Sequence, residues 1–324
     1  MILVTGGAGF IGSNLQAALA RRGQETIVVD RLRGNGKWRN LAAHPPARIV
    51  APEALEDFLS SHPPLEMVFH LGAISATTAT DGDLVWGVNV ELPLMLWRWC
   101  AARGIRFVYA SSAATYGDGS QGFDDGLERL ERLRPLNLYG WSKQAFDLTV
   151  ARAVARGEKR PPQWAGLKFF NVYGPGETHK GAMISVVKVK LDEVRAGATP
   201  RLFRSDRADI ADGEQKRDFI WVGDTVDVML WLLDHPEVNG LFNLGTGTAR
   251  SYRAVAEAVC RAVGVAPGVE FIDMPPALRG RYQSFTEAPM SRLREAGFAG
   301  QFTPLEEGVA RYAAIPAADP DGCV

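Results

Sequence analysis

Ile2-Leu3-Val4-Thr5-Gly6-Gly7-Ala8-Gly9-Phe10-Ile11-Gly12 stands at the head of the chain. Ile2 to Thr5 reads as a short buried strand and the glycines as a turn. Ser13 to Arg22 reads as a helix, because Leu15, Ala18 and Leu19 recur at helical spacing and Gly23 supplies a stop. Strand, glycine turn and helix in this order make a dinucleotide site. Glycines allow a tight turn, close approach of backbone to a pyrophosphate and close helix–strand packing. The helix N-terminus turns its N–H groups and the positive end of its dipole toward the phosphates. A glycine pattern alone is weak, but here the strand and the helix both flank it. Glu25 to Asp30 is a second strand, and it ends on a carboxylate placed to accept a hydrogen bond from the adenosine ribose. A purely structural glycine turn is the bland alternative, and this context outweighs it. The expected fold class is α/β, a doubly wound parallel sheet with a smaller C-terminal α/β part that binds substrate.

Further along, the same sheet continues. Asp30 alone favours NAD, since a carboxylate repels a 2′-phosphate. Arg31 follows directly, with Arg33 and Lys37 close behind, and guanidinium or ammonium groups can pair with that phosphate. The same cations also fit a solvated loop, so these residues leave NADP and NAD both open. Met67 to Leu71 is another buried strand, followed by the small residues Gly72-Ala73-Ile74-Ser75, which leave room for a cofactor. His70 fits a packed strand-end histidine better than a base. Leu84 to Arg103 reads as one helix closed by Gly104. Asn89 inside it suits a hydrogen-bonding brace at the sheet edge at least as well as a ligand contact.

Arg106 to Ser112 is a strand ending in two hydroxyls, Ser111 and Ser112. Ligands of an open parallel sheet sit beyond the carboxyl ends of its strands. A serine there can hydrogen-bond a substrate hydroxyl and its base. Tyr139-Gly140-Trp141-Ser142-Lys143 then sets a phenol and an ammonium four residues apart, on one face of a helix continued by Phe146, Leu148 and Val150. A nearby ammonium stabilises phenolate, so the Tyr139 pKa is expected to fall, which would suit proton transfer. Alone, the pair reads as a surface tyrosine beside a solvated lysine. The glycine turn and the strand-end serine change that reading.

Composition narrows the function. The 324 residues suffice for one large domain or two moderate ones, and 46% hydrophobic content provides a sizeable core. A net charge of −1 gives no support for a nucleic-acid or anionic-membrane partner. Cys100, Cys260 and Cys323 have no metal-ligand or disulfide spacing, which suits a reducing compartment. No apolar run is long enough to span a bilayer, and Met1 to Val4 lacks the basic flank of a signal peptide. A soluble, cytoplasmic protein is expected.

Taken together, TGGAGFIG at 5–12, YASSAATYG at 109–117 and YGWSK at 139–143 resemble the extended short-chain dehydrogenase/reductase family, whose nucleotide domain is a Rossmann fold. FNVYGP at 170–175, HKG at 179–181, Arg217-Asp218-Phe219, NLGTG at 243–247 and LRGRYQSFT at 278–286 resemble, within it, the ADP-glyceromanno-heptose 6-epimerases of lipopolysaccharide precursor synthesis. This likeness runs from Met1 to about Tyr312. It implies epimerisation at C6 of a nucleotide-activated heptose by transient oxidation and re-reduction. NADP is the implied cofactor, with NAD the alternative. Tyr139 and Lys180 would be the acid/base pair, Ser112 the hydroxyl of the triad, and Lys143 the ribose-binding lysine. From spacing alone, Lys180 reads rather as a phosphate partner. The implied cofactor residues are Gly6, Gly9, Phe10, Ile11, Gly12, Asp30, Arg31, Lys37, Leu71, Gly72, Ala73, Ser75, Asn89, Tyr139, Lys143, Val172 and Lys180. The implied substrate residues are Ser112, Asn171, Phe203, Arg217 and Tyr282, and Arg281 is a further candidate for the diphosphate. A homo-oligomer is the expected state, and no metal is implied.

The chain also departs from its likeness. Family dehydratases carry an Asp-Glu pair after the strand-end hydroxyl. Ala113-Ala114 stand there instead and cannot perform elimination. Ala182 replaces a frequent serine, and Val189 a frequent histidine, with Lys188 and Lys190 beside it as possible cations for the diphosphate. Residues 204–216 form a long polar segment. Residues 1–166 are read as the nucleotide-binding part, to which segments of 167–250 return. Residues 167–315 are read as mainly substrate-binding, and 316–324 as a loose tail. Two other functions are weighed. A UDP-hexose 4-epimerase is disfavoured by the His179-Lys180-Gly181 loop. A non-catalytic dinucleotide sensor or scaffold is disfavoured by the intact Tyr139/Lys143 pair.

Overall fold

The computed structural model describes residues 1–275 and 284–316. The first half alternates strand and helix: β1 (Ile2–Thr5), α1 (Phe10–Arg21), β2 (Thr26–Val29), β3 (Arg48–Val50), α2 (Leu55–Ser60), β4 (Met67–His70), α3 (Gly82–Trp86), α4 (Leu92–Arg103), β5 (Arg106–Ser112), α5 (Leu138–Ala155) and β6 (Trp164–Phe169). The second half holds β7 (Asn171–Tyr173), α6 (Val186–Arg195), β8 (Arg201–Phe203), β9 (Lys216–Trp221), α7 (Val222–Asp234), β10 (Gly240–Leu244), β11 (Ala249–Ser251), α8 (Tyr252–Val263), β12 (Glu270–Ile272), α9 (Ser291–Glu295) and α10 (Leu305–Ala314).

Strands covered on both faces read as unbroken apolar runs. Ile2-Leu3-Val4, Ile27-Val28-Val29 and Met67-Val68-Phe69 are such runs, and all nine residues are buried. They lie in a seven-stranded sheet ordered β10-β6-β5-β4-β1-β2-β3, and every pairing in it is parallel. The chain winds outward in opposite directions from the β1–β4 boundary. That boundary is the switch point, where a crevice opens beyond the carboxyl ends of the strands. A smaller sheet, β11-β9-β7, and a two-stranded ribbon, β12-β8, form the rest.

Two elements differ from the sequence reading. The helix expected over 84–103 is broken by a π-turn at Gly87–Glu91 between α3 and α4. Pro93 accounts for it, since proline has no N–H for the preceding turn and its ring crowds that turn's carbonyl. Leu167 to Tyr173, which reads from the sequence as one strand, is divided between two strands. β6 ends in the large sheet at Phe169, and β7 then pairs in parallel with β9 of the small sheet. This change of sheet carries Asn171 and Val172 over the mouth of the crevice. Among the described residues, no helix is long and apolar enough to cross a membrane. Arg281, Tyr282 and most of the 278–286 motif lie outside the described residues, as do Cys323 and residues 317–324 of the tail.

Candidate active site

A cavity of about 1110 Å³ lies beyond the carboxyl ends of β1, β2, β4 and β5. Its floor is the glycine turn. Gly12 lies so close to that turn that a Cβ there would sit 2.2 Å from the Gly6 carbonyl oxygen, so any side chain would push α1 off the loop. No side chain caps α1, whose first turn opens on the cavity through Phe10, Ile11 and Gly12. The cradle therefore fits a pyrophosphate held by helix N–H groups. Asp30 lies at the end of β2. Its Oδ2 accepts from Ala8 N at 2.9 Å, and its Oδ1 accepts from Arg31 N at 2.7 Å and Lys37 Nζ at 2.6 Å. Leu71, Gly72, Ala73 and Ser75 form the wall after β4.

The opposite wall is the end of β5 with the first turn of α5. Ser112 ends β5, and its Oγ accepts from Ala114 N at 3.1 Å, starting the short turn at 113–116. Asn137 caps α5 through a 2.8 Å bond from Gly140 N, which fixes the turn bearing Tyr139. The Tyr139 phenol faces Ser112, which acts on it to hold its pKa down. Lys143, one turn on, is buried and donates to the Ala110 carbonyl at 2.8 Å. Behind it lies a closed polar cluster. The Asp147 carboxylate accepts from Ser111 Oγ at 2.6 Å, Tyr109 OH at 3.1 Å and Lys168 Nζ at 2.9 Å, and both members of the Asp147–Lys168 ion pair are wholly buried.

The electrostatics correct one expectation. Burial pushes the Tyr139 phenol above its ordinary value, with Ser112 pulling it partly back, so the predicted fall is not what this environment produces. Burial also lowers Lys143, to about 8, against the opposing charge of Asp147. Desolvation dominates at both groups, and the buried Asp147 carboxylate raises both.

The third wall is the loop after β7. Lys180 lies in a turn at Thr178–Met183, its ammonium 5.0 Å from the centre of the Phe10 ring. Burial lowers its pKa, and the carboxylate of Glu177 opposes that shift. Asn171, Val172 and Arg217 line the same cavity, and Arg217 lies 5.7 Å from the ring of Tyr252.

Most residues singled out by sequence thus share one cavity, but some do not. Phe203 pairs with Ile272 in the β12-β8 ribbon and does not line it. Asn89 is fully buried. Its Oδ1 accepts from Ile74 N at 2.8 Å, and its amide donates to the Ile74 carbonyl at 2.9 Å and to Ser142 Oγ at 3.0 Å. It braces the 71–75 wall against α5, as its sheet-edge reading has it. Lys188 and Lys190 pair with Asp192 and Glu193 of their own helix, so they are not cations for a diphosphate in the cavity. The 204–216 segment carries the ion pairs Arg204–Asp212 and Arg207–Asp209 and contributes no residue to the lining. Glu53 was not anticipated. It follows β3, lines the cavity, and its Oε1 accepts from Arg31 Nε at 2.8 Å. The signal for it was available, since β3 must lie beside β2 in such a sheet and so brings its own exit next to Arg31.

Comparison with known proteins is consistent with this geometry. The model of the NAD dependent epimerase/dehydratase family matches residues 2–245. The chain is 48% identical over 326 residues to the ADP-L-glycero-D-manno-heptose-6-epimerase of Nitratidesulfovibrio vulgaris (strain DP4), covering 99% of each chain. The crystal structure of ADP-L-glycero-D-manno-heptose-6-epimerase from Helicobacter pylori superposes with a TM-score of 0.79 at 26% identity, covering 96% of this chain and 94% of that one. UDP-glucose 4-epimerase of Thermus thermophilus, solved in complex with NAD, superposes with a TM-score of 0.75 at 28% identity, covering 95% of this chain and 96% of that one.

Proposed function

Because the chain belongs to the NAD dependent epimerase/dehydratase family, we propose that it inverts C6 of an ADP-glycero-manno-heptose, with Tyr139 and Lys180 as its acid/base pair. The observation that carries this reading is the meeting of two ionisable groups from different elements, α5 and the loop after β7, in one cavity floored by a dinucleotide cradle. A nicotinamide dinucleotide bound there supplies reversible hydride acceptance at a carbinol carbon. Gly6, Gly9 and Gly12 with the first turn of α1 would hold its pyrophosphate, Asp30 its adenosine ribose, and Lys143 its other ribose.

The remaining work falls to side chains. Ser112 orients the reacting hydroxyl toward Tyr139. Burial raises the Tyr139 phenol and lowers the Lys180 ammonium, so each is drawn toward its neutral form, in which the phenol can give a proton and the amine can take one. Inversion requires the sugar's end group to turn, so that its C6 oxygen meets a proton partner in each of two orientations. Two groups on separate elements meet that need where one would not. Arg217 supplies a guanidinium for the diphosphate and Asn171 an amide for the sugar. Ala113-Ala114, after the strand-end serine, offer no group for elimination.

At the adenosine end NADP remains the first reading, since Arg31, Arg33 and Lys37 gather there. The Arg31–Glu53 pair is exposed and screened by solvent, so it opens readily. The Asp30 and Glu53 carboxylates at the same place favour NAD as the second reading. Buried thiols at Cys100 and Cys260 suit a reducing, cytoplasmic setting.

The test is incubation with one C6 epimer of the ADP-heptose, following the other by proton NMR, with the dinucleotide released on denaturation identified by mass. Turnover of UDP-glucose in its place overturns the substrate assignment. Tyr139→Phe lowers kcat by about a thousandfold with the dinucleotide retained, and an active variant removes Tyr139 from the reaction. Lys180→Ala lowers kcat by about a hundredfold at nearly unchanged KM. A mild loss of kcat with a large rise in KM returns Lys180 to phosphate binding.

A further inference from the structure

Glu177 is a wholly buried carboxylate that the chemistry above does not use. It sits three residues before Lys180 and binds both ends of the loop that carries it. Its Oε2 accepts from Ser185 N at 2.6 Å, and its Oε1 accepts from Ser185 Oγ at 2.6 Å. Weaker contacts reach Oε1 from Tyr312 OH at 3.3 Å and Gly174 N at 3.4 Å. Ser185 in turn caps α6, its Oγ accepting from Lys188 N at 3.2 Å. One side chain therefore joins the exit of β7, the start of α6 and α10.

We propose that Glu177 is the positioning residue of Lys180: it fastens the loop from Gly174 to Ser185 at both ends and thereby sets where the ammonium meets the cavity. The outer side of the loop is moored separately. Asn14 donates to the Pro175 carbonyl at 2.9 Å, Asn40 to that of Gly176 at 3.1 Å, and Asn35 to that of His179 at 3.1 Å. Those bonds fix the loop to the dinucleotide half but do not close it on itself. The Glu177 clamp does, and Lys180 N also donates to the Glu177 carbonyl at 3.0 Å. Lys180 is thus tied to the clamp residue by a single turn of backbone.

Charge accompanies position. Burial raises the Glu177 pKa, and the largest opposing influence is Lys180. Reciprocally, Glu177 is the charge that opposes the desolvation of Lys180. Ionisable groups facing the pair from the packed elements include Tyr312 on α10, Tyr173 at the end of β7, Lys188 on α6, Arg217 on β9, His179 in the loop, Asp30 and Lys37 toward the adenosine end, and Tyr139 and Lys143 on α5.

The inference rests on Lys180 acting as acid/base, so its test reads Lys180 directly. In the full-length protein with its dinucleotide, competitive acetylation of Lys180 across pH, followed by peptide mass spectrometry, gives its titration midpoint without reference to turnover. In Glu177→Gln the midpoint moves down and kcat falls about tenfold, with KM within about threefold. Glu177→Asp keeps the charge on a shorter arm, so it restores the midpoint better than kcat. A Glu177→Gln protein that is folded by circular dichroism and has both the parent labelling curve and the parent kcat overturns the proposal. If Glu177→Gln does not fold, Ser185→Ala decides. That variant keeps the carboxylate and removes its bond to Oγ, and unchanged labelling and kcat overturn the proposal equally. Should Lys180→Ala prove a pure KM variant, the acid/base reading fails while the labelling curves still judge the clamp.

Discussion

His70 closes β4 with its ring wholly buried, Nδ1 2.8 Å from Thr5 Oγ1 and Nε2 without a partner among the described residues. Burial first, and the charge of Lys143 second, push its pKa down to about 3. The unfolded chain takes up this proton near pH 6.5, and the folded chain does so only near 3. Between those values the unfolded state binds more protons, so His70 removes stability as pH falls through the window, up to about 4 kcal/mol at its lower end. Above pH 6.5 it removes none. His70→Asn should therefore flatten the acid limb of urea-unfolding free energy between pH 6.5 and 3, and a limb of unchanged slope would place the acid sensitivity elsewhere. At this scale the sequence reads well where a residue's role is local. Tyr139 and Lys143 share a face because helical spacing demands it, and His70 is packed because it ends a buried run. Glu53 and Glu177 were not read, because each acts through a partner placed by sheet order or loop closure. The direction of the Tyr139 shift was misread for a related reason: spacing shows a neighbouring charge but not how dry the pocket is.

The helix α5 shows why one intervening residue in Tyr139-Gly140-Trp141-Ser142-Lys143 is glycine. A Cβ on Gly140 would lie 2.6 Å from the Ala114 carbonyl oxygen and 3.1 Å from Pro135 Cβ. The helix packs directly on the backbone of the turn that follows Ser112, and that contact brings the phenol to the serine. Gly140→Ala improves helix propensity by about 1 kcal/mol, yet it must lift α5 from the turn, and backbone offers no flexible end to yield. The expected outcome is a lowered melting temperature with kcat reduced about a hundredfold. A variant as stable and active as the parent would show that this packing does not position Tyr139. Strand and helix order was legible because buried parallel strands announce themselves as apolar runs. The π-turn at Gly87–Glu91 and the change of sheet after Phe169 were not, since each is a local break within a pattern whose period continues across it. The change of sheet matters more, because it delivers Asn171, Val172 and the Lys180 loop to the crevice.

The two halves of the chain are interleaved rather than joined end to end. β10 returns from the second half to extend the large sheet beside β6, and α7 packs on α1. Ile2, Val4, Leu15 and Leu19 share one core cluster with Val228, Leu232 and Phe242. Gln163 donates to the carbonyls of Leu232 and His235 at 2.8 Å each, and Arg106 to that of Leu233 at 2.7 Å. A cut at residue 166 would split β6, strip β10 and α7 from the nucleotide half, bare an edge of the sheet, and expose one face of α1 to water. The halves should therefore form one folding unit despite their separate roles in the cavity. The expected result is a single calorimetric transition for the full chain and no cooperative transition for a fragment of residues 1–166. Dinucleotide at a hundred times its Kd should raise the stability of that single transition by about 2.7 kcal/mol, because the cavity exists only when both halves are in place. Two resolved transitions, with only the first moved by dinucleotide, would mean that the nucleotide half folds without β10, and the interleaving would then be a docking contact rather than part of its core.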